Sequence, residues 1–174
     1  MKFLIKFVMV IGILVLGGAW IYGRGLPREH VASASIVLVA PADTVFKLVR
    51  NLEGSASWWR DVKGVRRITE HRREAWELDM GSMGKMPLEV TRVVQGREVV
   101  VTVIGDEDAA WGGIWRYVVN DSPSGTEVTV TEEGWVASPL IRLVQKVVGP
   151  HRAIERYLRA LGDHFGEPVT PRRG

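Results

Sequence analysis

The 174-residue sequence contains no cysteine. This absence excludes disulfide scaffolds, zinc sites built from cysteine, and thiol nucleophiles. It does not identify the compartment, because a cysteine-free chain is stable in oxidising and reducing surroundings alike. The sequence also lacks a P-loop, a dinucleotide-binding glycine fingerprint, an HExxH zinc motif and a Ser-His-Asp order. The enzyme classes that depend on these signatures are therefore excluded.

Acidic residues are missing from the first 28 positions. Four of the 23 Lys+Arg residues lie there, and the remaining 19 stand against 20 Asp+Glu in residues 29–174, a net charge of −1. The overall charge of +3 and the pI near 9.4 thus come from the N-terminal segment. A basic protein is a candidate for binding nucleic acid, but a nearly neutral body argues against such a partner.

Residues 7–23 carry no charge and are mostly apolar. As a helix they would span roughly 25 Å, close to the thickness of a bilayer core. Trp20 and Tyr22 stand at the far end, where interfacial aromatic residues are found. We interpret residues 3–23 as an uncleaved membrane anchor. A cleaved signal sequence and a buried helix are the alternatives, and the best cleavage site, Ala32-Ser33-Ala34, lies inside a predicted strand.

The orientation of this anchor is less strongly encoded. Two lysines precede the apolar run and two arginines follow it, so the positive-inside count is tied. The very short N-terminal tail also carries the amino group, which favours an inside N-terminus. We therefore expect a single-pass plasma (inner) membrane protein whose domain lies on the outer, periplasmic side.

The body of the chain predicts an antiparallel sheet followed by helix. Residues 33–39 form a predicted first strand, and Pro41 opens a short helix. Strand-like segments then recur about every ten residues, which is typical of an antiparallel meander. They are residues 65–70, 75–80, 88–94, 98–104, 111–120 and 126–132.

Two helical segments close the chain, residues 139–148 and 151–165, with a break or kink at Gly149-Pro150. A curved sheet can wrap around such a helix and leave an apolar cavity between them. The predicted domain boundaries are an anchor and linker at 1–28, a ligand-binding domain at 29–167 and a polar tail at 168–174.

A series of segments follows the order and spacing of a known superfamily. They are IVLVAPADTVF at 36–46, WWRDV at 58–62, WGGIW at 111–115, GTEV at 125–128, TEEG at 131–134, SPLIR at 138–142 and YLRAL at 157–161. Residues 31–166 thereby resemble the SRPBCC (START/Bet v1-like) superfamily, in particular a membrane-anchored subgroup of the bacterial polyketide cyclase/dehydrase-like proteins. The resemblance implies an α+β helix-grip fold, with an antiparallel sheet around a long C-terminal helix. It also implies a hydrophobic small molecule or lipid in the cavity, and it brings no universal catalytic residue.

The candidate ligand-binding residues lie on the predicted inner face of the sheet and on the last helix. They are Trp59, Trp76, Leu78, Trp111, Trp115, Tyr117, Glu132, Tyr157 and Leu161. Tryptophan stripes on strands are also typical of an ordinary core, and in a fold with a cavity the two interpretations overlap.

Glu132 is the one weak candidate for catalysis. It follows Val128 and Val130 in register and so can point inward, where a carboxylate would orient a polar group or act as a base. Twist or a bulge at Glu133-Gly134 could instead turn it to solvent or towards Arg142.

No metal site or cofactor is predicted. The four histidines lack the spacing of a metal motif and are interpreted as surface or helix-end residues. The segment Asp106-Glu107-Asp108 predicts a solvated turn, because a calcium loop would need further oxygen ligands.

Three functions are compatible with these patterns. The first is membrane-tethered binding of a hydrophobic small molecule or lipid without catalysis. The second is a cyclase-, aromatase- or hydratase-like enzyme that uses Glu132 as acid or base. The third is an interaction module whose cavity is filled by its own side chains.

Overall fold

A computed structural model describes residues 2–105 and 109–174. The Asp106-Glu107-Asp108 turn predicted above lies outside the described residues. The helices are α1 (Lys2–Arg24), α2 (Ala42–Arg50), α3 (Pro139–Val148) and α4 (Arg152–His164). The strands are β1 (Glu29–Leu38), β2 (Gly64–Arg67), β3 (Ala75–Asp79), β4 (Lys85–Val94), β5 (Glu98–Val103), β6 (Trp111–Ser122), β7 (Gly125–Val136) and β8 (Arg172–Arg173).

The eight strands form one antiparallel sheet in the order β2-β3-β4-β5-β6-β7-β1-β8. Most neighbours in this order are also neighbours in sequence, as the regular spacing of turn residues predicts. The exception is β1, which crosses over to pair with β7 along ten residue positions. The predicted α+β architecture of a sheet with C-terminal helices and an N-terminal apolar helix is confirmed.

Strand lengths differ most from the predictions in β1 and β7. β1 begins at Glu29 and β7 continues to Val136, because each long strand satisfies the backbone hydrogen bonds of the other. The polar tail at 168–174 contributes the two-residue strand β8, which pairs with β1 on the side opposite β7. Glu167 precedes it and accepts the backbone N–H groups of Val39 and Ala40, at 2.6 and 3.1 Å.

The core lies between the concave face of the sheet and helices α2 and α4. Helix α4 turns a stripe of buried residues towards the sheet: Ile154, Tyr157, Leu158 and Leu161. This i, i+3, i+4, i+7 spacing is that of a helix with one apolar face. Alternating residues of β1 and β7 complete the core, among them Ile36, Leu38, Val128 and Val130.

Helices α3 and α4 are separated at Gly149, which has φ +88° and is followed by Pro150. That φ lies in the region that glycine adopts without steric cost, and proline has no backbone N–H to donate to a helical hydrogen bond. The predicted break is therefore confirmed. Its consequence is that α3 runs apart from α4 and packs against the end of α1.

Candidate functional site

A pocket of about 280 Å³ lies between one end of the sheet and the helices α3 and α4. We call it the helix pocket. Its walls are His30 of β1, Trp111 and Gly112 of β6, Glu132, Trp135 and Val136 of β7, Ile141, Val144, Gln145 and Val148 of α3, Gly149 and Pro150, and Arg152, Ala153 and Arg156. The break between α3 and α4 creates this pocket, because a continuous helix would not bring α3 over the end of β1.

His30, Glu132 and Gln145 form a polar cluster at the strand end of the pocket. The Glu132 carboxylate oxygen Oε1 lies 3.6 Å from His30 Nε2, and their side chains are only 18% and 16% exposed. The Gln145 amide nitrogen lies 3.0 Å from His30 Nε2 and donates towards the ring. The alternative in which Glu132 turns towards Arg142 does not occur. Arg142 instead donates to the backbone carbonyls of Leu26 and Ala137.

The strand register explains why these side chains meet. Glu132 pairs with Ala32 of β1 and Trp115 of β6, and His30 pairs with Gly134. Successive even-numbered residues of β1 and β7 face inward, so His30 and Glu132 lie diagonally opposite on the same face. The His30 ring occupies the space over Gly134, where a Cβ would lie 2.5 Å from His30 Cε1.

Cationic side chains line the helix end of the pocket. Arg152 and Arg156 project from α4, and the Arg156 Nε lies 3.2 Å from the Asp61 carboxylate. Opposite them, the wall formed by α3 is apolar. A molecule in this pocket would therefore meet hydrocarbon along one side and hydrogen-bonding groups at both ends.

A cluster of aromatic rings lies in the core between the sheet and α4. The Tyr157 ring lies 5.0 Å from Trp59, 5.1 Å from Tyr117 and 5.3 Å from Trp58, and Trp115 lies 6.3 Å from both Trp59 and Tyr157. These separations and mostly edge-on angles are those of favourable aromatic contacts. Within the described part of the chain, the buried indole nitrogens of Trp58 and Trp59 have no hydrogen-bond partner.

Two phenols in this cluster are held in their neutral form. Burial raises the pKa of Tyr117 far above its usual value, and the negative charge of Glu132 raises it further. Burial likewise raises the pKa of Tyr157, with a smaller contribution from Tyr117. Both hydroxyl groups therefore act as hydrogen-bond donors or acceptors and not as bases near neutral pH.

The predicted ligand-binding residues lie in three places. Trp111 and Glu132 line the helix pocket. Trp59, Trp115, Tyr117 and Tyr157 form the aromatic cluster, while Trp76, Leu78 and Leu161 lie in the core. Contact between any of them and a ligand stays a prediction.

Sequence reasoning missed His30 and the pocket residues of α3. His30 was expected at the surface or at a helix end, and the structure places it on the inner face of β1. The available signal was its position two residues before Ala32 and four before Ala34, which continues the inward alternation of the strand. Gln145 offered no such signal, since its contact depends on how α3 packs.

A second hollow of about 480 Å³ adjoins the helix pocket around the end of the sheet. It is bounded largely by outward-facing residues, including Val31, Ile114, Glu133 and Trp135. No helix covers it in the described residues. We take the helix pocket as the candidate site, because it combines an apolar wall from α3 with the polar cluster of His30, Glu132 and Gln145.

No group of three or more His, Asp or Glu side chains that could hold a metal ion occurs among residues 2–105 and 109–174. In the part of the chain that the structure describes, one helix is long and apolar enough to cross a membrane, with its span at Ile5–Arg24. It lies at the N-terminus, where a membrane anchor and a signal sequence share this property.

The family profile described as "Polyketide cyclase / dehydrase and lipid transport" matches residues 29–166. The chain belongs to this family. The match covers the whole sheet up to β7 and both C-terminal helices, so it includes every wall of the helix pocket. The predicted superfamily resemblance is thereby confirmed, and a search of curated proteins found no significant match.

Solved structures of the same fold come from several bacteria. A START superfamily protein from Mycobacterium smegmatis aligns with a TM-score of 0.58 at 18% identity, over 78% of this chain and 96% of its own. The Zhui aromatase/cyclase from Streptomyces sp. R1128 aligns with a TM-score of 0.63 at 12% identity, over 78% and 93%. A conserved protein from Geobacillus kaustophilus aligns with a TM-score of 0.62 at 13% identity, over 82% and 99%.

At these identities the alignments establish a common fold. Together with the family assignment they support a role in binding a hydrophobic ligand or in cyclisation, without distinguishing the two. The chemistry of the site must therefore distinguish ligand binding from cyclisation.

Proposed function

We propose that this protein binds a hydrophobic small molecule or lipid in the helix pocket. The observation that carries the proposal is the composition of the walls: an apolar side formed by α3, and a polar end formed by His30, Glu132 and Gln145. Such a site suits an amphipathic molecule, because each polar atom of the ligand finds a partner and its hydrocarbon leaves water.

The volume of the pocket limits what it can enclose. At about 280 Å³ it lies just below the roughly 300–1,000 Å³ typical of small-molecule sites. A lipid would therefore place its polar end and the first part of its chain in the pocket. The remainder would extend along the exposed side chains of α3.

Native mass spectrometry of the full chain, released from detergent, tests this proposal. Wild-type protein purified from cells should carry an adduct of lipid mass. The variant Ala153→Trp places an indole in the pocket, so its adduct should be lost or strongly reduced. The matched control is Ala56→Trp, since Ala56 is an exposed alanine remote from the pocket walls. An adduct that persists in Ala153→Trp, or no adduct in wild type, contradicts the proposal.

A second candidate function is proton transfer in a cyclase-like reaction. The observation in its favour is that two ionisable groups, Glu132 and His30, converge in one pocket. Glu132 would accept or donate the proton, and His30 would position the carboxylate. If the reaction is a dehydration of the bound ligand, the wild-type protein should release a product whose mass is lower by one water molecule. The Glu132→Gln variant should retain the ligand at its original mass. Equal conversion by both proteins contradicts a catalytic Glu132.

We further propose that α1 is a retained anchor in the plasma membrane and that the domain lies on the outer side. Ala32 and Ala34, the residues of the best cleavage site, are buried within β1. Cleavage there would remove part of a strand that pairs with β7 along its whole length. An anchored domain keeps the pocket near the membrane that holds its ligand.

A further inference from the structure

Helix α3 turns its polar side towards the protein. Arg142 is buried, and its Nη1 donates to the Leu26 carbonyl at 2.6 Å. Gln145 contacts His30, and Lys146 Nζ donates to the Tyr22 hydroxyl at 2.5 Å. All three polar side chains of the helix body are therefore engaged by the protein itself.

The opposite side of α3 is apolar and exposed. It consists of Leu140, Ile141, Val144, Val147 and Val148, which are 40%, 44%, 60%, 80% and 43% exposed. At about 100° per residue, these positions cover an arc of roughly 120°. A surface helix of a water-soluble domain has the reverse arrangement, with its apolar stripe against the core. We call these five residues the α3 apolar face.

The α3 apolar face borders the C-terminal end of α1. Gly23 of α1 is buried against the backbone of Pro139, the first residue of α3. Trp20 and Tyr22, which stand at this end of α1, are 43% and 54% exposed. Aromatic residues at the end of an apolar span lie at the level of the lipid headgroups. Helix α3 is packed at that same level.

We infer that α3 lies in the headgroup region of the bilayer that α1 spans, with the α3 apolar face against the phospholipid acyl chains. The inference rests on the proposed anchoring by α1. Arg24 stacks on Trp20 and Lys146 contacts Tyr22, so both cationic groups lie at the level of these aromatic residues, which suits phosphate headgroups at the same depth. An amphipathic helix at an interface has this division, with hydrocarbon below and polar groups above.

The position of α3 connects the bilayer with the helix pocket. Ile141, Val144 and Val148 belong to the α3 apolar face and also line the pocket. A hydrophobic ligand can therefore pass between acyl chains and pocket along these side chains without crossing water. This route would deliver ligands from the membrane itself and not from the aqueous phase.

The absence of cysteine allows a direct test with single-cysteine variants of the full chain. Val147→Cys carries an environment-sensitive fluorophore on the α3 apolar face, outside the pocket walls. Val39→Cys is the matched control, because Val39 is also a valine that is 80% exposed. Leu14→Cys reports on α1. Each labelled protein is reconstituted in vesicles of phosphatidylcholine and phosphatidylglycerol.

We expect the Val147 label to shift its emission to shorter wavelength, to be quenched by nitroxide-labelled lipid, and to be shielded from aqueous iodide. The Val39 label should behave in the opposite way. Iodide quenching at Val147 while Leu14 is quenched by lipid overturns the inference and leaves the anchor intact. Iodide quenching at Leu14 overturns the anchor and the inference with it. A Val147 label shielded from both quenchers indicates that a second copy of the protein covers the α3 apolar face. This outcome also overturns the inference that α3 lies in the bilayer.

Discussion

Gly134 has no side chain, and the His30 imidazole of the polar cluster occupies the space that a Cβ would take. Its neighbour across the ladder is His30, and the ring lies directly over the glycine. The histidine can reach Glu132 and Gln145 only because no side chain stands in between. A single missing Cβ on β7 thus shapes the polar end of the helix pocket.

Replacing Gly134 by alanine should displace His30 without unfolding the domain. The new Cβ would lie 2.5 Å from His30 Cε1, and a side-chain ring can move away more easily than a backbone. We expect the free energy of unfolding to stay within about 1 kcal/mol of wild type. The His30 ring resonances in an NMR spectrum should shift and adduct retention should fall. Gly64→Ala is the control, since its Cβ would meet nothing closer than 4.0 Å. Unchanged His30 resonances would contradict the prediction.

Glu74 joins α2 to β3 through a charged contact. Both oxygens of its carboxylate accept from the Arg50 guanidinium, and one also accepts from Trp76 Nε1 at 2.9 Å. The hydrogen bonds from Arg50, with a smaller contribution from Trp76, lower the pKa of Glu74 below its usual value. The ionised form therefore stabilises the folded state.

This contact predicts a loss of stability in acid. A lowered folded-state pKa adds stability above the unfolded-state pKa, and that stability disappears as the pH falls through the folded-state value. Glu74→Gln should cost about 1 kcal/mol at pH 7, since the pair is partly solvated. It should also lose less stability than wild type on acidification. Urea unfolding in detergent measures both, with exposed Glu53→Gln as control. An equal acid response in wild type and Glu74→Gln would contradict this assignment.

The junction between α1 and α3 depends on how closely two helices approach. Gly23 is buried there, and a Cβ at this position would lie 2.2 Å from the Pro139 carbonyl oxygen. The Lys146–Tyr22 hydrogen bond lies beside this contact. Small residues at helix crossings allow such close backbone packing. The position of α3, and with it one wall of the helix pocket, follows from this junction.

Gly23→Val should therefore separate α1 from α3. Amide hydrogen exchange of α3 in the full chain should become faster by about tenfold or more, equivalent to about 1.4 kcal/mol of lost protection. Gly17→Val is the matched control in the same helix, because a Cβ at Gly17 meets nothing within 4 Å. If both variants change the exchange of α3 equally, the junction does not depend on the close contact at Gly23.

In the whole molecule, α3 connects the apolar helix α1 with the helix pocket: it packs against α1 and forms one wall of the pocket. The arrangement is compatible with ligand binding and with catalysis, since both need a concave, partly apolar site. The packed aromatic cluster is a feature that the interaction module also predicts. The helix pocket with its polar cluster is the feature on which the proposal of ligand binding rests.

The proposed outward placement predicts the accessibility of the domain in intact cells. Val39 is 80% exposed, and its replacement by cysteine introduces the only thiol into the chain. A membrane-impermeant maleimide should label it in intact spheroplasts as completely as after lysis. Leu14→Cys, within the span, should resist labelling before and after lysis and serves as the control. Labelling of Val39→Cys that appears only after lysis would place the domain on the inner side.

The amino-acid sequence by itself determined the apolar N-terminal helix, the meander of successive strands from β2 to β7 and the C-terminal helix break. These features depend on local patterns: an uncharged run, alternation of period two, and Gly149 followed by Pro150. Strand alternation also allowed Glu132 on the inner face, but the sequence left open a turn to solvent or towards Arg142.

Only the tertiary structure decided that His30 and Gln145 meet Glu132, and that α3 turns its apolar side outward. Both depend on the crossover that pairs β1 with β7, and on the packing of α3 against α1. Periodicity shows that a helix has an apolar side, but not what that side faces. That choice follows from contacts between segments more than 100 residues apart, such as Arg142 with Leu26.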